Sequence, residues 1–548
     1  MKNQPESPTP FSTPVNRRDF IRYSGMLGVA AAASAALGAC GFTGSSQSAS
    51  STTSSQPLPA GAKPVPTGSI TAGLAYNLDT NFDPMLASGA AALALNMHVF
   101  EGLVDMNMPN RQPYNTLAES VTQAGPTTWK AKIRSGATFH DGSPVTADDV
   151  VFSYTRILDP ANNSALTEFL PFLKSVVATG TDTVQFNLNY PFSLFPSRIT
   201  AVKIVPKAIV VADPAGFALH PVGSGPFMVT SATPEVSYVL NAYDKYNGPK
   251  PAKVETLTFL PITNAAARVT ALQSNRVQAI EAVPPVDVAA LKQTDTVQSV
   301  EGFDLMFMMF NCKLKPFDDV RVRQALHYAL NTQQIINNGL LGYGTPATSF
   351  MPTNSSYYQR ASTVYNYDPQ KAKSLLAAAG VSSLNITLLS STVNFIAACA
   401  PIIKENWDAI GVNTTLHLGG SGGLYKNLVD TGNYQVMVAP GDPSVWGPDD
   451  PDLLMRWWYV GQWPQRRYYW DGTPQAAQLV SLLNQGAQAS NASTQKEIWL
   501  KAFDLLAEQV PLYPIFHANL ATGWNSNLLT NFKPITTTGL DFLGVGLK

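Results

Sequence analysis

The residues best suited to chemistry lie in a Gly/Pro-rich acidic run. It reads Pro440-Gly441-Asp442-Pro443-Ser444-Val445-Trp446-Gly447-Pro448-Asp449-Asp450-Pro451-Asp452. Five of the nine tryptophans fall between Trp446 and Trp470, with Tyr459, Tyr468 and Tyr469 among them. Carboxylates beside a dense aromatic set suit a ligand with a positive group and an apolar body. An amine would pair with a carboxylate, and rings would desolvate side chains or stack on cations. The alternative for Asp442 is a carboxylate that caps its own loop. For Trp457 and Trp458 it is core packing, and for Arg456, Arg466 and Arg467 it is solvated surface charge.

A different chemistry is written at Gly419-Gly420-Ser421-Gly422-Gly423, a G-x-S-x-G between an expected strand and an expected helix. That is the setting of a nucleophile elbow, and His517 lies downstream. A lipid-anchored serine hydrolase using Ser421 and His517 is therefore the rival reading; four glycines around one serine also describe a plain loop. Metal chemistry finds no support. The six histidines are scattered singly, none at the spacing of a helical zinc motif. His140 with Asp141, Asp148 and Asp149 reads as turn and helix-cap residues, so no metal and no cofactor are expected. Gly342-Tyr343-Gly344-Thr345-Pro346-Ala347 fits a GxGxxA but meets Pro352 soon after, and reads as a turn. Cys312 and Cys399 read as buried free thiols, with a disulfide as the alternative.

The elements that must position these groups divide around residues 303–331. Leu305 to Phe310 is an unbroken apolar run, a strand buried on both faces. Asp318 and Asp319 then stand at an N-cap. Val322, Ala325, Leu326, Ala329 and Leu330 make one helical stripe. Before this unit, Ser69–Tyr76 predicts a strand and Ala90–Phe100 a helix. Trp129, Ala131 and Ile133 alternate with charges, and Val184, Phe186, Leu188 and Tyr190 alternate again. Thr146 caps a helix carrying Asp148 and Asp149 in its first turn. The first half should hold antiparallel or mixed sheet. After the unit, strands at Leu384–Leu388, Val412–Leu418 and Tyr434–Ala439 alternate with helices at Phe395–Ile410 and Leu424–Val429. That order predicts a parallel α/β lobe, with ligand beyond the carboxyl ends of its strands. A helix is expected at Gln495–Gln509, after which Val510–Phe516 should return the chain to the first lobe.

At 548 residues and 45% apolar the chain needs more than one core. Its formal net charge of -1 gives no electrostatic case for nucleic acid. The N-terminus reads as an address. Asn16-Arg17-Arg18-Asp19-Phe20 resembles a twin-arginine export motif, with Arg17 and Arg18 as its pair. An Ala-rich segment follows, too short for a membrane span. Leu37-Gly38-Ala39-Cys40 resembles a lipobox, with Cys40 the lipidated residue. Residues 41–68 are rich in Ser, Thr, Gly and Pro, a tether reaching roughly 30 Å.

Several runs in register resemble one family. They are Phe100-Glu101-Gly102-Leu103-Val104, Leu117-Ala118-Glu119-Ser120, and Phe139-His140-Asp141-Gly142-Ser143-Pro144-Val145-Thr146-Ala147-Asp148-Asp149-Val150. Pro221 to Phe227, Pro316 to Leu326, Asp368 to Gly380 and Val510 to Pro514 continue the match. The pattern is similar to that of the peptide/nickel-type, family 5 solute-binding proteins of bacterial ABC importers. The resemblance implies an α/β, two-lobe periplasmic-binding-protein-like fold of type II around a ligand cleft. It implies a signal peptide at 1–40, a linker at 41–68 and lobe I at 69–302, with an extra subdomain near 113–220. Lobe II would span 303–510, and 511–548 would return to lobe I. Capture of a peptide or peptide-like solute, delivery to a permease and its ATPase, and no catalysis are implied, for a monomer at the outer face of the membrane. In the family an Asp in such a loop takes the peptide's α-amino group, a role carried here to Asp442. The pattern departs where a Trp would precede the Gly-Asp pair: Ala439 and Pro440 stand there instead, and Trp446 follows. Asp442, Trp446, Asn311, Trp457 and Trp458 make the expected ligand-binding set.

Overall fold

The computed structural model describes residues 65–77, 81–86, 90–442, 450–519 and 521–548. Trp446, Arg17, Arg18 and Cys40 lie outside the described residues. The first half opens with strand β1 (Ser69–Leu74), then a hairpin of β2 (Val104–Asn107) and β3 (Gln112–Asn115). Four strands follow: β4 (Ala118–Gly125), β5 (Thr128–Ile133), β6 (Leu173–Ala178) and β7 (Thr183–Leu188). They form a separate antiparallel sheet in the order β4-β5-β7-β6. β5 buries Trp129, Ala131 and Ile133 and exposes the lysines between them, the period-2 pattern of a half-buried strand. The helix Ala147–Leu158 covers this sheet. It begins with a full capping box, in which Thr146 accepts from the Asp149 amide and Asp149 accepts from the Thr146 amide. Asp149 reaches further, accepting from the Lys207 amide.

β8 (Phe227–Thr233), β9 (Ser237–Ala242), β10 (Thr256–Pro261), β11 (Ala279–Val283) and β12 (Thr296–Ser299) complete the first half. With β1 they form a mixed sheet, which a late strand, β19 (Ala521–Trp524), joins between β12 and β11.

The second half is built on β13 (Leu305–Phe310), every residue of which is buried. β14 (Gly344–Pro346), β15 (Leu384–Ser391), β16 (Val412–Gly419), β17 (Val436–Gly441) and β18 (Leu512–Ala518) join it in the order β14-β18-β13-β17-β15-β16. The all-parallel expectation holds for β15, β16 and β17. It fails for β13, β14 and β18, which pair antiparallel. β18 also corrects the return to the first lobe. The chain stays in this sheet to Ala518 and rejoins the first sheet only at β19. The helix expected over 395–410 is two, Asn394–Ala397 and Ala400–Asp408. Pro401 lacks an N–H to donate back into the first helix, and it sits in the first turn of the second, where a missing donor is tolerated. Cys312 and Cys399 are free thiols.

Two crossings therefore join the sheets, and they run side by side. Ser299 of β12 lies opposite Ala521 of β19, and Leu305 of β13 lies opposite His517 of β18. On one face of the second sheet lies a core of its own, with Met306, Met308 and Phe310. On the other, Phe307 and Met309 belong to a core that continues through Trp458 and Phe169 into Phe186 and Trp129 of the four-stranded sheet. At the first crossing Gly302 packs on the C-terminal segment. A Cβ there would stand 2.0 Å from the Thr536 carbonyl oxygen. Gly302→Ala should thus cost about 1–3 kcal/mol by overpacking, read as a lowered denaturant midpoint with an unchanged slope.

Candidate functional site

The pairing of β13 with β17 places Leu305 opposite Gly441. Asp304, just before one strand, and Asp442, just after the other, therefore meet at one sheet end, beside both crossings. Gly441 is required there. A Cβ would lie 2.6 Å from the Trp458 ring. The C-terminal residues 536–539 lie across this end and between them engage charged side chains from four elements. Arg111, at the tip of the β2–β3 hairpin, donates to Thr536 Oγ1 at 3.2 Å. Thr537 Oγ1 and the Thr538 amide donate to Asp442 Oδ2 at 2.6 and 2.7 Å. Thr538 Oγ1 donates to Asp304 Oδ1 at 3.4 Å. The Gly539 amide donates to Glu281 Oε2 at 2.7 Å, while Glu281 Oε1 accepts from the Ala75 amide at 2.8 Å.

Three carboxylates thus converge from β11, β13 and β17. Burial, then the charges of Asp442 and Glu281, hold the Asp304 carboxyl well above the usual carboxylate range. Burial also raises Glu281, against its two backbone donors and Arg268. Tyr76 shares the cluster, its phenol raised by burial and by Asp304 and Glu281. A cluster of this sign welcomes a cation and resists an anion. Next to it a cavity of about 430 Å³ opens between Arg111, Gly302, Phe303, Tyr357, Asp450 and Thr536, within the size range of small-molecule sites.

The expected ligand set is only partly brought together. Trp458 is buried beside Gly441, its ring 5.1 Å from Phe307 and 4.5 Å from Trp463. Trp457, half-buried, turns instead to Phe169 of the four-stranded unit at 6.1 Å. Asn311 is a correction. It follows the far end of β13, seven residues along the chain and about 23 Å from Asp304. Its amide donates to the carbonyls of Gly432 and Tyr434 at 3.1 and 3.0 Å, so it fastens a turn. Asp450 and Asp452, in the same acidic run, turn to other partners. Asp450 caps the helix Pro451–Tyr459 and pairs with Arg198, and Asp452 pairs with Arg198 and Arg456. Arg456, expected at the surface, is 3% exposed.

The hydrolase reading fails on geometry. Ser421 Oγ hydrogen-bonds Ser391 Oγ at 2.6 Å, beyond β16, whereas His517 lies on β18. Four strand spacings, roughly 19 Å, separate β16 from β18. Burial moreover lowers His517 to about 4. His140, with its Asp neighbours, is a turn residue as expected: it binds the backbone of Gly223 and Gly225. Among the described residues no group of His, Cys, Asp and Glu is placed to hold a metal.

Sequence reasoning missed Asp304, Glu281, Thr537 and Thr538. Asp304 was within reach, since it flanks the apolar run that any partner strand must join. Residues 536–539 carry no pattern that marks them.

Residues 112–465 match the family "Bacterial extracellular solute-binding proteins, family 5 Middle". This chain belongs to that family. A dipeptide-binding protein of Escherichia coli K12 is 30% identical over 402 residues, 66% of this chain and 75% of that one. The glutathione-binding protein GsiB of the same organism is 24% identical over 480 residues, 86% and 93% of the two chains. Among solved structures, the oligopeptide-binding protein AppA of Bacillus subtilis, in complex with a nonapeptide, superposes with a TM-score of 0.78 at 23% identity. It covers 89% of this chain and all of that one. AgaA of A.tumefacien R10, in complex with agropinic acid, gives 0.78 at 24%, covering 88% and 99%. These likenesses confirm the two-lobe, mixed α/β fold, and the family makes this chain a solute-binding protein. Among the described residues no helix is long and apolar enough to cross a membrane.

The raised Asp304 and Glu281 set a sign for pH. The folded state binds their protons more tightly than the unfolded chain does, so stability falls as pH rises from the ordinary carboxylate range through the raised values. Asp304→Asn should raise the thermal midpoint at pH 8, with the gain shrinking toward pH 4.

Proposed function

We propose that this solute-binding protein captures a peptide or peptide-like amine between its two halves and hands it to the permease of an ABC importer. The halves act as lobes, 69–302 with 521–548 as one and 303–518 as the other. The ligand's amine lies against Asp442. The observation that carries this reading is the convergence of Asp442, Asp304 and Glu281 on residues 536–539, where the two sheets join. A ligand ammonium there would meet carboxylates already desolvated and pre-oriented, which makes a charge-assisted hydrogen bond worth more than in water. Trp458 walls the same sheet end, behind Gly441. The dipeptide-binding relative supports an amine-bearing peptide as ligand. No bond is made or broken in this reading. The work done is lobe closure, driven by contacts that both lobes make only when shut.

The address motifs complete the proposal. Arg17 and Arg18 direct export, Cys40 is lipidated, and residues 41–68 tether a monomeric body outside the membrane, within reach of the permease and its ATPase. Cys40→Ser should move the protein from the membrane fraction to the soluble extracytoplasmic fraction. Continued membrane retention would show that something other than Cys40 anchors it.

Asp442→Asn should weaken free-amine dipeptides by about 1.5–3 kcal/mol, the worth of a hydrogen bond to a charged group. N-acetylated forms of the same dipeptides should bind weakly to both proteins. Calorimetry with both sets decides the matter, and equal affinities for the free-amine set in both proteins would remove Asp442 from the site.

A further inference from the structure

Among the described residues, one side chain carries a salt bridge from the first half to the second. Arg198 ends the short helix Phe195–Arg198 and is 0% exposed. Its Nε and Nη2 donate to Asp450 Oδ2 at 3.1 and 2.5 Å, and Nη2 also donates to Asp452 Oδ2 at 2.8 Å. The guanidinium belongs firmly to the first half. Nη1 donates to the Phe169 carbonyl at 2.9 Å, and the group lies over the Phe192 ring. Both carboxylates belong as firmly to the second. Asp450 Oδ1 accepts from the Asp452 and Leu453 amides, capping its helix. Asp452 Oδ1 accepts from Arg456, which also donates to Asn484. The same helix is held to the second sheet by Tyr459, whose hydroxyl donates to the Leu512 carbonyl at 2.7 Å, and by Trp458 against Phe307.

Two guanidinium and two carboxylate groups thus balance in a buried cluster. A balanced, fully hydrogen-bonded cluster tolerates burial, but removal of one member strands a charge out of water. The cluster is also a wall. Asp450 and Ser197, the neighbour of Arg198, both line the 430 Å³ cavity, with Arg111 and Thr536 among its other boundaries. If the halves part, the clasp breaks and that wall opens.

We propose that Arg198 is a positioning residue for solute capture: the ion cluster it completes is a clasp between the halves that sets the fraction of time they lie together. It touches no ligand. It acts by raising the population of the binding-competent state, and apparent affinity scales with that population. This inference rests on the solute-binding reading, but its primary test needs no solute.

The test is hydrogen exchange on the full chain, without added peptide, for wild type, Arg198→Met, Arg198→Lys and Arg134→Met. Arg134 pairs with Glu101 wholly within the first half, so Arg134→Met controls for the loss of any buried ion pair. Arg198→Met should speed exchange at Phe169–Leu170 and at Asp452–Leu454 together, by about 100-fold, the order expected when one partner of a buried pair is removed. Exchange in β5 and β15 should not change. Arg198→Lys keeps the charge but not the forked geometry, and should fall between. Arg134→Met should leave both interface segments as in wild type. In a second arm, wild type and Arg198→Met are titrated with alanyl-phenylalanine, whose dissociation should quicken at least tenfold in the variant. Unchanged exchange at the two interface segments overturns the clasp, and so does uniform acceleration across the whole chain. Failure of alanyl-phenylalanine to bind either protein, with the exchange result as expected, would count against the peptide reading and leave the clasp standing.

Discussion

The constraint on which this molecule depends is that its chain passes between the sheets twice at one place. Ser299 pairs with Ala521 on one side of the joint and Leu305 with His517 on the other. A strand that enters a sheet and a neighbour that leaves it must run antiparallel if both use the same end. This is why β13 and β18 break the parallel order of β15, β16 and β17. The residues just outside that end inherit a special position. Asp304 precedes the entering strand, Asp442 follows the strand paired with it, and neither can drift while the ladder holds. The site is a by-product of register before it is a matter of side-chain choice.

Around the joint, charge is handled in two opposite ways. The cluster of Glu281, Asp304 and Asp442 is of one sign and is quieted by backbone amides, threonine hydroxyls and protons held above the usual range. The cluster of Arg198, Asp450, Asp452 and Arg456 is balanced and asks for nothing further. The two stand at either end of residues 442–450. Burial pushes Asp450 up in spite of Arg198. Burial pushes on Asp452 too, but Arg456 and Arg198 outweigh it and hold that carboxyl low.

What could be read from the sequence was local, and what could not was pairing. The apolar run of β13, the alternation of β5 and the Thr146 cap announced themselves because each is decided by residues a few positions apart. The two-lobe fold came from motifs in register, whose order survives without knowledge of contacts. Arg198 and Asp450 are 252 residues apart, and no spacing rule links an arginine to an aspartate at that distance. The acidic run 440–452 looked like one loop with one purpose. Its two ends are in fact bound to different partners, since Asp450 lies at a helix start and Asp442 at a strand end. Asn311 lies past the end of β13 remote from Asp304, and which end of a strand reaches the joint is invisible until its neighbour is known.

The buried position of Arg198 has a consequence for where such a protein can work. A family that operates outside the cytoplasm meets media whose ionic strength the cell does not regulate. Exposed ion pairs fade as salt rises and the screening length shrinks below the distance between charges. A guanidinium with no exposed surface has no mobile ions beside it to do the screening. Its grip should vary far less between dilute freshwater and brine than that of a surface pair, so the protein's shape would owe little to the weather of its surroundings.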